Sequence, residues 1–254
     1  MEITFLGVGE AFDEAIPNTS MLVRTEIEGK IVTILLDCGY SVPPRFWKLG
    51  LHPDTLDGIW ISHFHADHGF GLPPLLVRFW EEKRNRDLCF LGQKGVESFV
   101  QRCLDLGYPN FLPRLTYPLK FEEVEPKKPK MALGLTWNTA VSDHPQRNLA
   151  LRLETDEKSL FYSGDGRPTS ETIALAEGVD LVIHEAFDLA ENVSGHGTIT
   201  ACLEMARASR AKRLALVHIQ RNVRREKFQE IKELAKFVQD LEVLIPKPGD
   251  QITL

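Results

Sequence analysis

The chain has 254 residues, of which 43% are hydrophobic, and this composition provides enough apolar side chains for one sizeable core. Charged residues make up 26% of the sequence, which is typical of a globular surface and argues against a disordered chain. The formal net charge of −6 excludes a surface that attracts nucleic acid nonspecifically, so a polyanionic substrate would need a local positive site.

The chain contains four cysteines, Cys38, Cys89, Cys103 and Cys202, without a Cys-x-x-Cys pair or a regular disulfide framework. This pattern is typical of reduced thiols in a reducing compartment. The N-terminal sequence has no basic start before a long apolar run, and no stretch approaches about 18 uninterrupted apolar residues. We therefore predict a cytoplasmic protein that neither carries a signal peptide nor binds a membrane.

The first part of the chain is predicted to be rich in strands. Short apolar runs, some of them alternating, predict strands at residues 3–6, 21–27, 31–36, 56–62, 88–91 and 119–124. Helices are predicted at residues 43–49, 75–84 and 96–106. The strand at residues 56–62 leads directly into an unusual run of histidines.

The second part repeats this organisation. Strands are predicted at residues 133–141, 149–154, 159–162, 181–184, 214–218 and 243–245, and helices at residues 170–176, 198–210 and 226–239. Strand-rich stretches followed by alternating helices, found twice, predict an α/β fold with two sheets packed face to face and helices outside. Because the sequence shows no linker or repeat, we predict one domain over residues 1–254.

The densest chemical signal is the stretch ISHFHADHGFG, which begins at Ile61. His63 and His65 lie two residues apart just after a predicted strand, so an extended backbone can point both imidazoles to one side. Asp67 and His68 follow where the chain turns, and they can face a second point a few ångströms away. One loop can thus offer ligands to two metal ions.

A metal ion held by protein needs more ligands than this loop supplies to each point, so others are expected at distant strand ends. Three candidates each follow an apolar strand and precede a turn or helix: His144 in VSDHPQ, Asp165 in FYSGDGRP and His218 in LALVHIQR. The carboxylate of Asp165 can bridge two metal ions because it has two oxygens.

These residues, in this order, resemble the metal motifs of the metallo-β-lactamase superfamily, and Asp37-Cys38-Gly39 resembles its first aspartate motif. The resemblance covers almost the whole chain and implies an αββα sandwich of two mixed β-sheets with metals at one edge. The sequences FLGVGEAF, ISHFHADHGFGLPPLL, YSGDGRP, IHEAF and GHGT are most similar to the ribonuclease Z branch.

The resemblance to ribonuclease Z implies two divalent metal ions, for which zinc fits best and manganese, iron or nickel are alternatives. It implies His63, His65 and His144 as ligands of one ion, and Asp67, His68 and His218 as ligands of the other, with Asp165 as the bridge. It also implies that His196, supported by Glu185, acts as a proton donor or oxyanion stabiliser beside the metals, and it favours a homodimer.

The sequence departs from the ribonuclease Z pattern at several places. Only 20 residues (145–164) lie between His144 and Asp165, where ribonuclease Z usually carries a protruding tRNA-binding arm. Phe187 and Gly197 replace a threonine and a serine of that family's loops. These differences weaken the case for tRNA processing and make arm-less phosphodiesterases with small substrates the nearer comparison.

We therefore predict a binuclear metal-dependent hydrolase in which a metal-bridging hydroxide attacks a phosphodiester, either an RNA end or a small or cyclic phosphodiester. Asp67 would accept a proton from the water while it binds metal. Two alternatives stay open: hydrolysis of an acyl bond in a lactone, thioester or β-lactam, and a metal-binding scaffold without catalysis. Arg221, Arg224 and Arg225 are predicted to form a solvated face, with phosphate binding as the alternative.

Overall fold

The computed structural model describes residues 1–191 and 193–254, and in these residues two β-sheets pack face to face. The strands in chain order are β1 (Glu2–Gly7), β2 (Ser20–Ile27), β3 (Lys30–Leu36), β4 (Gly58–Ile61), β5 (Leu88–Gly92), β6 (Leu119–Glu123), β7 (Lys130–Ala132), β8 (Leu135–Val141), β9 (Leu149–Glu154), β10 (Ser159–Tyr162), β11 (Leu181–Glu185), β12 (Arg213–Val217), β13 (Glu242–Leu244) and β14 (Gln251–Thr253). The helices are α1 (Pro43–Trp47), α2 (Ala66–Gly69), α3 (Leu72–Glu81), α4 (Val96–Gly107), α5 (Ser170–Leu175), α6 (Ile199–Ala208) and α7 (Arg221–Phe237). None of the helices in these two ranges is both long and apolar enough to cross a bilayer.

Both sheets combine antiparallel and parallel strands. The first sheet has the order β14-β1-β2-β3-β4-β5-β6, with antiparallel pairs up to β3 and parallel pairs from β3 to β6. The second has the order β13-β12-β11-β10-β9-β8-β7, antiparallel from β7 to β10 and parallel from β10 to β13. Because parallel strands end at the same edge of a sheet, the loops after β10, β11 and β12 gather at one place.

Apolar side chains from the facing sides of the two sheets form the central core. Trp60 on β4 and Trp137 on β8 are fully buried there, with ring centroids 6.0 Å apart in a stacked arrangement. Offset stacking of this kind adds about 0.5–1.5 kcal/mol to the stabilisation from burial. The indole Nε1 of Trp137 donates a hydrogen bond to the carbonyl of Ala132 and joins β7 to β8.

The outer faces of both sheets are covered by helices. Phe46 of α1, Phe79 of α3 and Val100 of α4 belong to one apolar cluster with the outer side chains of the first sheet. Cys202 of α6 and Ile231 of α7 belong to a second cluster on the outer side of the second sheet. This arrangement confirms the predicted αββα sandwich, whereas the prediction of one domain over residues 1–254 stays a prediction.

Two short strands and the start of the last helix differ from the sequence-based prediction. Strands β7 and β14, each of three residues, were not predicted, because such short edge strands form only by pairing with another strand, β8 for β7 and the distant β1 for β14. Helix α7 begins at Arg221, five residues before the predicted start. The stretch at residues 221–225 lacks apolar periodicity, and the Gln220 side chain caps it by accepting hydrogen bonds from the N–H groups of Asn222 and Val223.

Candidate metal centre

The histidine loop leaves the end of β4 and places its side chains at two adjacent points. His65 lies on extended backbone, and its Nδ1 is 3.0 Å from His63 Nε2. Asp67 and His68 lie in the one-turn helix α2, where Asp67 Oδ2 is 3.3 Å from His68 Nε2. The short helix turns the chain between the two pairs, as the spacing predicts.

The second sheet adds three side chains to these two points. His144 follows β8, and its Nε2 is 3.3 Å from His65 Nδ1. His218 follows β12, and its Nε2 is 3.4 Å from Asp67 Oδ2. His144 therefore lies with the pair His63 and His65, and His218 lies with the pair Asp67 and His68.

Asp165, which follows β10, lies between the two groups with one oxygen directed to each. Its Oδ2 is 3.9 Å from His63 Nε2, whereas its Oδ1 is 3.2 Å from His68 Nε2 and 3.5 Å from His218 Nε2. Two sets result, each with ligand atoms within 4.8 Å of one another: His63, His65, His144 and Asp165, and Asp67, His68, Asp165 and His218. The structure thus brings together all seven residues that the sequence singled out.

Two buried atoms in the second set are consistent with a cation between them. Among the described residues, His68 Nε2 and Asp165 Oδ1 are both buried without a hydrogen-bond partner, although they lie only 3.2 Å apart. Buried polar atoms normally find a partner because leaving one unpaired costs about 1–3 kcal/mol. The fold and the two clusters of histidine and aspartate therefore indicate divalent-metal binding.

Asp37 holds the histidine loop from behind. It is fully buried and accepts hydrogen bonds from the backbone N–H and hydroxyl of Ser62, at 2.8 and 2.7 Å, and from the Tyr162 hydroxyl at 2.6 Å. Its Oδ2 is also 2.7 Å from His68 Nδ1. This contact orients the His68 ring so that Nε2 faces the metal position.

His144 is oriented by a comparable contact. Its Nδ1 lies 2.7 Å from the carbonyl oxygen of Gly195, so Nδ1 carries the proton and Nε2 is left with its lone pair. A carbonyl partner of this kind fixes the tautomer needed for metal binding through Nε2.

Two side chains at the centre depend on unusual backbone conformations. Asp37 and His218 have φ angles of +56° and +57°, a region that non-glycine residues adopt at a cost. The His218 N–H donates a hydrogen bond to the Val8 carbonyl at 2.9 Å, which holds the residue in place. At Gly39 a Cβ atom would lie 2.0 Å from the Asp67 carbonyl oxygen, so this close approach requires glycine.

Two histidines of the first set, His63 and His65, favour the neutral imidazole. Burial, and then the positive charge of His68, lower the pKa of His63. Burial and the neighbouring His144 likewise lower the pKa of His65. Neutral imidazole is the form that binds metal, so this half of the site is electrostatically prepared for a cation.

The second set holds charge of both signs. Burial alone would lower the pKa of His218, but Asp165 and Asp67 outweigh burial and raise it to about 9. Burial alone would raise the pKa of Asp67, but His68 and a hydrogen bond from His218 hold it far below its usual value. Without metal, protons on the imidazoles thus neutralise the ionised carboxylates, and a cation can take over that task.

His196 and Glu185 form a pair beside the second set. The Glu185 carboxylate is fully buried, and its Oε1 accepts hydrogen bonds from the N–H groups of Gly166 and Gly197 at 2.8 and 2.9 Å. The same oxygen is 3.2 Å from His196 Nδ1. Burial alone would lower the pKa of His196, but the hydrogen bond and charge of Glu185 raise it. The charged imidazolium is therefore favoured, with Nε2–H free to donate.

Phe187, which replaces a threonine of the ribonuclease Z pattern, packs on this pair. Its ring stacks on His196 with centroids 4.5 Å apart and an interplanar angle of 24°, and it lies 6.1 Å from the His218 ring. The ring limits the orientations open to the His196 imidazole.

The candidate metal centre opens into a cleft of about 390 Å³. The sequence analysis did not predict the residues at the mouth of this cleft. Phe12 and Tyr40, two exposed aromatic residues, line this mouth together with Arg221. Arg221, whose side chain is 35% exposed, pairs with Glu10. Arg224, whose side chain is only 16% exposed, pairs with Asp13, so the predicted solvated face is contradicted at Arg224. The acidic and aromatic residues of the stretch GEAFDE were the feature of the sequence that could have indicated this cleft mouth.

Two mixed sheets between helices, with histidines and aspartates gathered at one edge, define the metallo-β-lactamase superfamily, and this chain is a member of its ribonuclease Z-like branch. Ribonuclease Z of Methanothermobacter thermautotrophicus is 28% identical over 281 residues, covering 89% of this chain and 88% of that protein. The metallo-β-lactamase fold protein YhfI of Bacillus subtilis matches the structure with a TM-score of 0.80 and 23% identity, over 99% of each chain. Human tRNase Z, short form, matches with a TM-score of 0.79 and 22% identity, over 100% of this chain and 99% of the human one.

A narrower assignment comes from a family model. The model described as anti-Pycsar protein Apyc1 matches residues 1–244, which is nearly the whole chain. The chain therefore belongs to the Apyc1 family of anti-Pycsar proteins.

Proposed function

We propose that this protein is a phosphodiesterase that uses two divalent metal ions to hydrolyse a small or cyclic phosphodiester. The observation that carries the proposal is the position of Asp165, which directs one carboxylate oxygen to each of two ligand sets while His196 stands beside them. The relatives named ribonuclease Z support phosphodiester chemistry for this branch of the superfamily.

The residues present fit two cations that share one carboxylate. His63, His65 and His144 would hold one ion and Asp67, His68 and His218 the other, with Asp165 shared between them. Imidazole nitrogen with carboxylate oxygen is a donor set that suits zinc, so we propose zinc before manganese, iron or nickel. When bound, such ions lower the pKa of a water and stabilise negative charge on a phosphoryl oxygen.

The chain's own residues move the protons. Asp67 is ionised and buried, so its Oδ2 can accept a proton from the attacking water. His196 lines the cleft, and its Nε2 can donate a proton to the leaving oxygen while Glu185 holds Nδ1.

The proposal favours a small substrate over tRNA. The 20 residues between His144 and Asp165 are occupied by β9, β10 and their turns, which leaves no segment for a protruding arm. The alignment with ribonuclease Z spans 281 positions, more than the 254 residues of this chain, so the relative carries segments that this protein lacks. A cleft of about 390 Å³ lies at the lower end of the range for small-ligand sites.

Metal analysis coupled to substrate assays tests this proposal. The wild-type protein should contain bound divalent metal and hydrolyse bis(p-nitrophenyl) phosphate and 3′,5′-cyclic nucleotides faster than lactone, thioester or β-lactam reporters. Faster turnover of an acyl reporter would favour acyl-bond hydrolysis. A metal-loaded sample that is inert to all these substrates would favour the metal-binding scaffold. The homodimer and the cytoplasmic location stay predictions, to be checked by light scattering and cell fractionation.

A further inference from the structure

The loop that carries Asp165 is held by two buried polar side chains outside the ligand sets. Ser142 directly follows β8 and Asn148 directly precedes β9, and both are buried. Asn148 Oδ1 accepts a hydrogen bond from the Asp165 N–H at 3.1 Å, and Ser142 Oγ donates one to the Asp165 carbonyl at 2.6 Å. The peptide groups on both sides of the Asp165 side chain are therefore fixed. We refer to Ser142 and Asn148 together as the Asp165 clamp.

The two side chains of the clamp also bind each other. Asn148 Nδ2 donates hydrogen bonds to Ser142 Oγ at 2.8 Å and to the Ser163 carbonyl at 2.7 Å. The Asp165 N–H, the Asn148 amide, the Ser142 hydroxyl and the Asp165 carbonyl thus form a closed ring in which each donor meets an acceptor. Hydrogen bonds in such a ring polarise one another, and a fully satisfied buried network favours a single arrangement of its members.

The backbone beside Asp165 fits closely against the clamp. Gly164 has a φ angle of +59°, and a Cβ atom there would lie 2.3 Å from Asn148 Oδ1, so only glycine permits this approach. Asp143 and Arg167 exchange two backbone hydrogen bonds, at 3.0 and 3.3 Å, which link the same two loops a second time. The Asp165 loop and the connection between β8 and β9 are therefore joined as one unit.

The connection between β8 and β9 carries His144 and also contacts the histidine loop. The Leu149 N–H donates a hydrogen bond to the Ser62 carbonyl at 3.1 Å, and the Phe64 N–H donates one to Gln146 Oε1 at 2.6 Å. Phe64 lies between the first two histidines of that loop. This one connection therefore contacts or carries every segment that supplies a side chain to the first ligand set.

We propose that Asn148 and Ser142 are positioning residues that set the geometry of the first ligand set, which contains His144, more strongly than that of the second. This inference rests on the proposed function, in which each set holds a divalent ion. The first set relies on the clamped unit for both His144 and Asp165. The second set relies on it for Asp165 alone, because its other members are carried by α2 and by the end of β12.

Stepwise removal of zinc tests the clamp without a substrate. Zinc-loaded wild type and variants are titrated with a chromophoric chelator that withdraws the ions in order of affinity, and His144→Ala marks the step that belongs to the first set. In Asn148→Ala the affinity of that same step should fall roughly 10- to 100-fold, because residues that orient metal ligands have effects of this size, and the other step should fall less. Asn138→Ala, which removes a side-chain amide from the middle of β8, should keep both wild-type affinities.

A second variant keeps the test decisive if Asn148→Ala does not fold. Ser142→Ala removes a smaller group and opens the same ring, so it should weaken the same step. Because either substitution opens the ring, the double variant should lose little more affinity than Asn148→Ala alone. Thermal unfolding of the same samples after complete removal of zinc measures any general loss of stability.

The outcomes separate this inference from the proposed function. If wild type binds two zinc ions and hydrolyses no phosphodiester, while Asn148→Ala selectively weakens the step marked by His144→Ala, the phosphodiesterase proposal fails and the clamp stands. If folded Asn148→Ala and Ser142→Ala keep both wild-type affinities, or weaken both steps alike, the clamp does not set the first ligand set and the inference is wrong whatever the activity.

Discussion

The two halves of the molecule contribute to the candidate site in different ways. The first half supplies four side chains from one loop of six residues, His63 to His68, held from behind by Asp37. The second half supplies His144, Asp165, Glu185, His196 and His218 from connections or ends of separate strands. A contiguous loop can be preformed by local geometry, whereas the dispersed residues meet only when the strands of the second sheet are paired. The first half therefore provides part of each of the two ligand sets. The second half completes both sets and links them through Asp165.

The largest effect should come from the residue that links the two positions. Asp165→Ala should lower turnover roughly 1,000-fold or more and lower the metal content, because each ligand set loses one oxygen of the carboxylate that links them. Metal analysis and a phosphodiesterase assay measure both effects. As a control, Asp180→Ala removes another buried carboxylate, which lies at the start of β11, whereas Glu185 beside the metal centre lies at its end. This variant should keep the wild-type metal content. Full metal content and activity in Asp165→Ala would contradict the shared-ligand interpretation.

His196→Ala should come next, with a fall in kcat of roughly 100-fold or more and unchanged metal content. The reason is that His196 belongs to neither of the two groups that share Asp165, although it lies in a third group of possible ligands with Glu185 and His218. The kcat on a phosphodiester and the metal content are measured on the same sample. The control is His52→Ala, which removes an imidazole that caps the 3-10 helix Pro53–Thr55. A loss of metal in His196→Ala would mean that this histidine binds metal itself.

The support of the compact loop can be tested at Asp37. Asp37→Asn keeps the size of the side chain but removes the charge that orients His68, and we expect metal affinity to fall roughly 10- to 100-fold. Competition with a chromophoric chelator measures the affinity, and thermal unfolding checks that the fold is retained. Unchanged affinity in a folded variant would show that the loop orients its histidines without this carboxylate.

The smallest expected effect is a change in pH dependence. Glu185 raises the pKa of His196, so activity that needs protonated His196 is present at low pH and is lost as the pH rises through that pKa. In Glu185→Gln the pKa of His196 should fall, and the alkaline limb of the kcat profile should move to lower pH. The profile of kcat against pH measures this shift. An alkaline limb at the wild-type position would assign that limb to another group.

Much of the site could be predicted from sequence because its chemistry is dense or follows a recognisable strand. His63, His65, Asp67 and His68 lie together in the sequence, and their spacing after a strand predicted two facing pairs. His144, Asp165 and His218 each follow an apolar run, and strand ends at one edge of a sheet converge. Their convergence within 4.8 Å agrees with that expectation, while their binding of metal stays a proposal.

The residues that the sequence analysis missed depend on contacts between distant segments. Glu10, Phe12 and Tyr40 carry no motif of their own, and their position at the cleft was decided by hydrogen bonds to one another and to Arg221 at the start of α7. Strand β14 depends in the same way on pairing with β1, at the other end of the chain.

By itself the sequence determined the α/β sandwich and the types of chemical group at its edge, because hydrophobic periodicity and local spacing are properties of neighbouring residues. Only the tertiary structure decided which oxygen of Asp165 faces which ligand set, which nitrogen of each histidine is free, and how the cleft is shaped. Those features arise from atoms that lie close in space and far apart along the chain, so no local pattern encodes them.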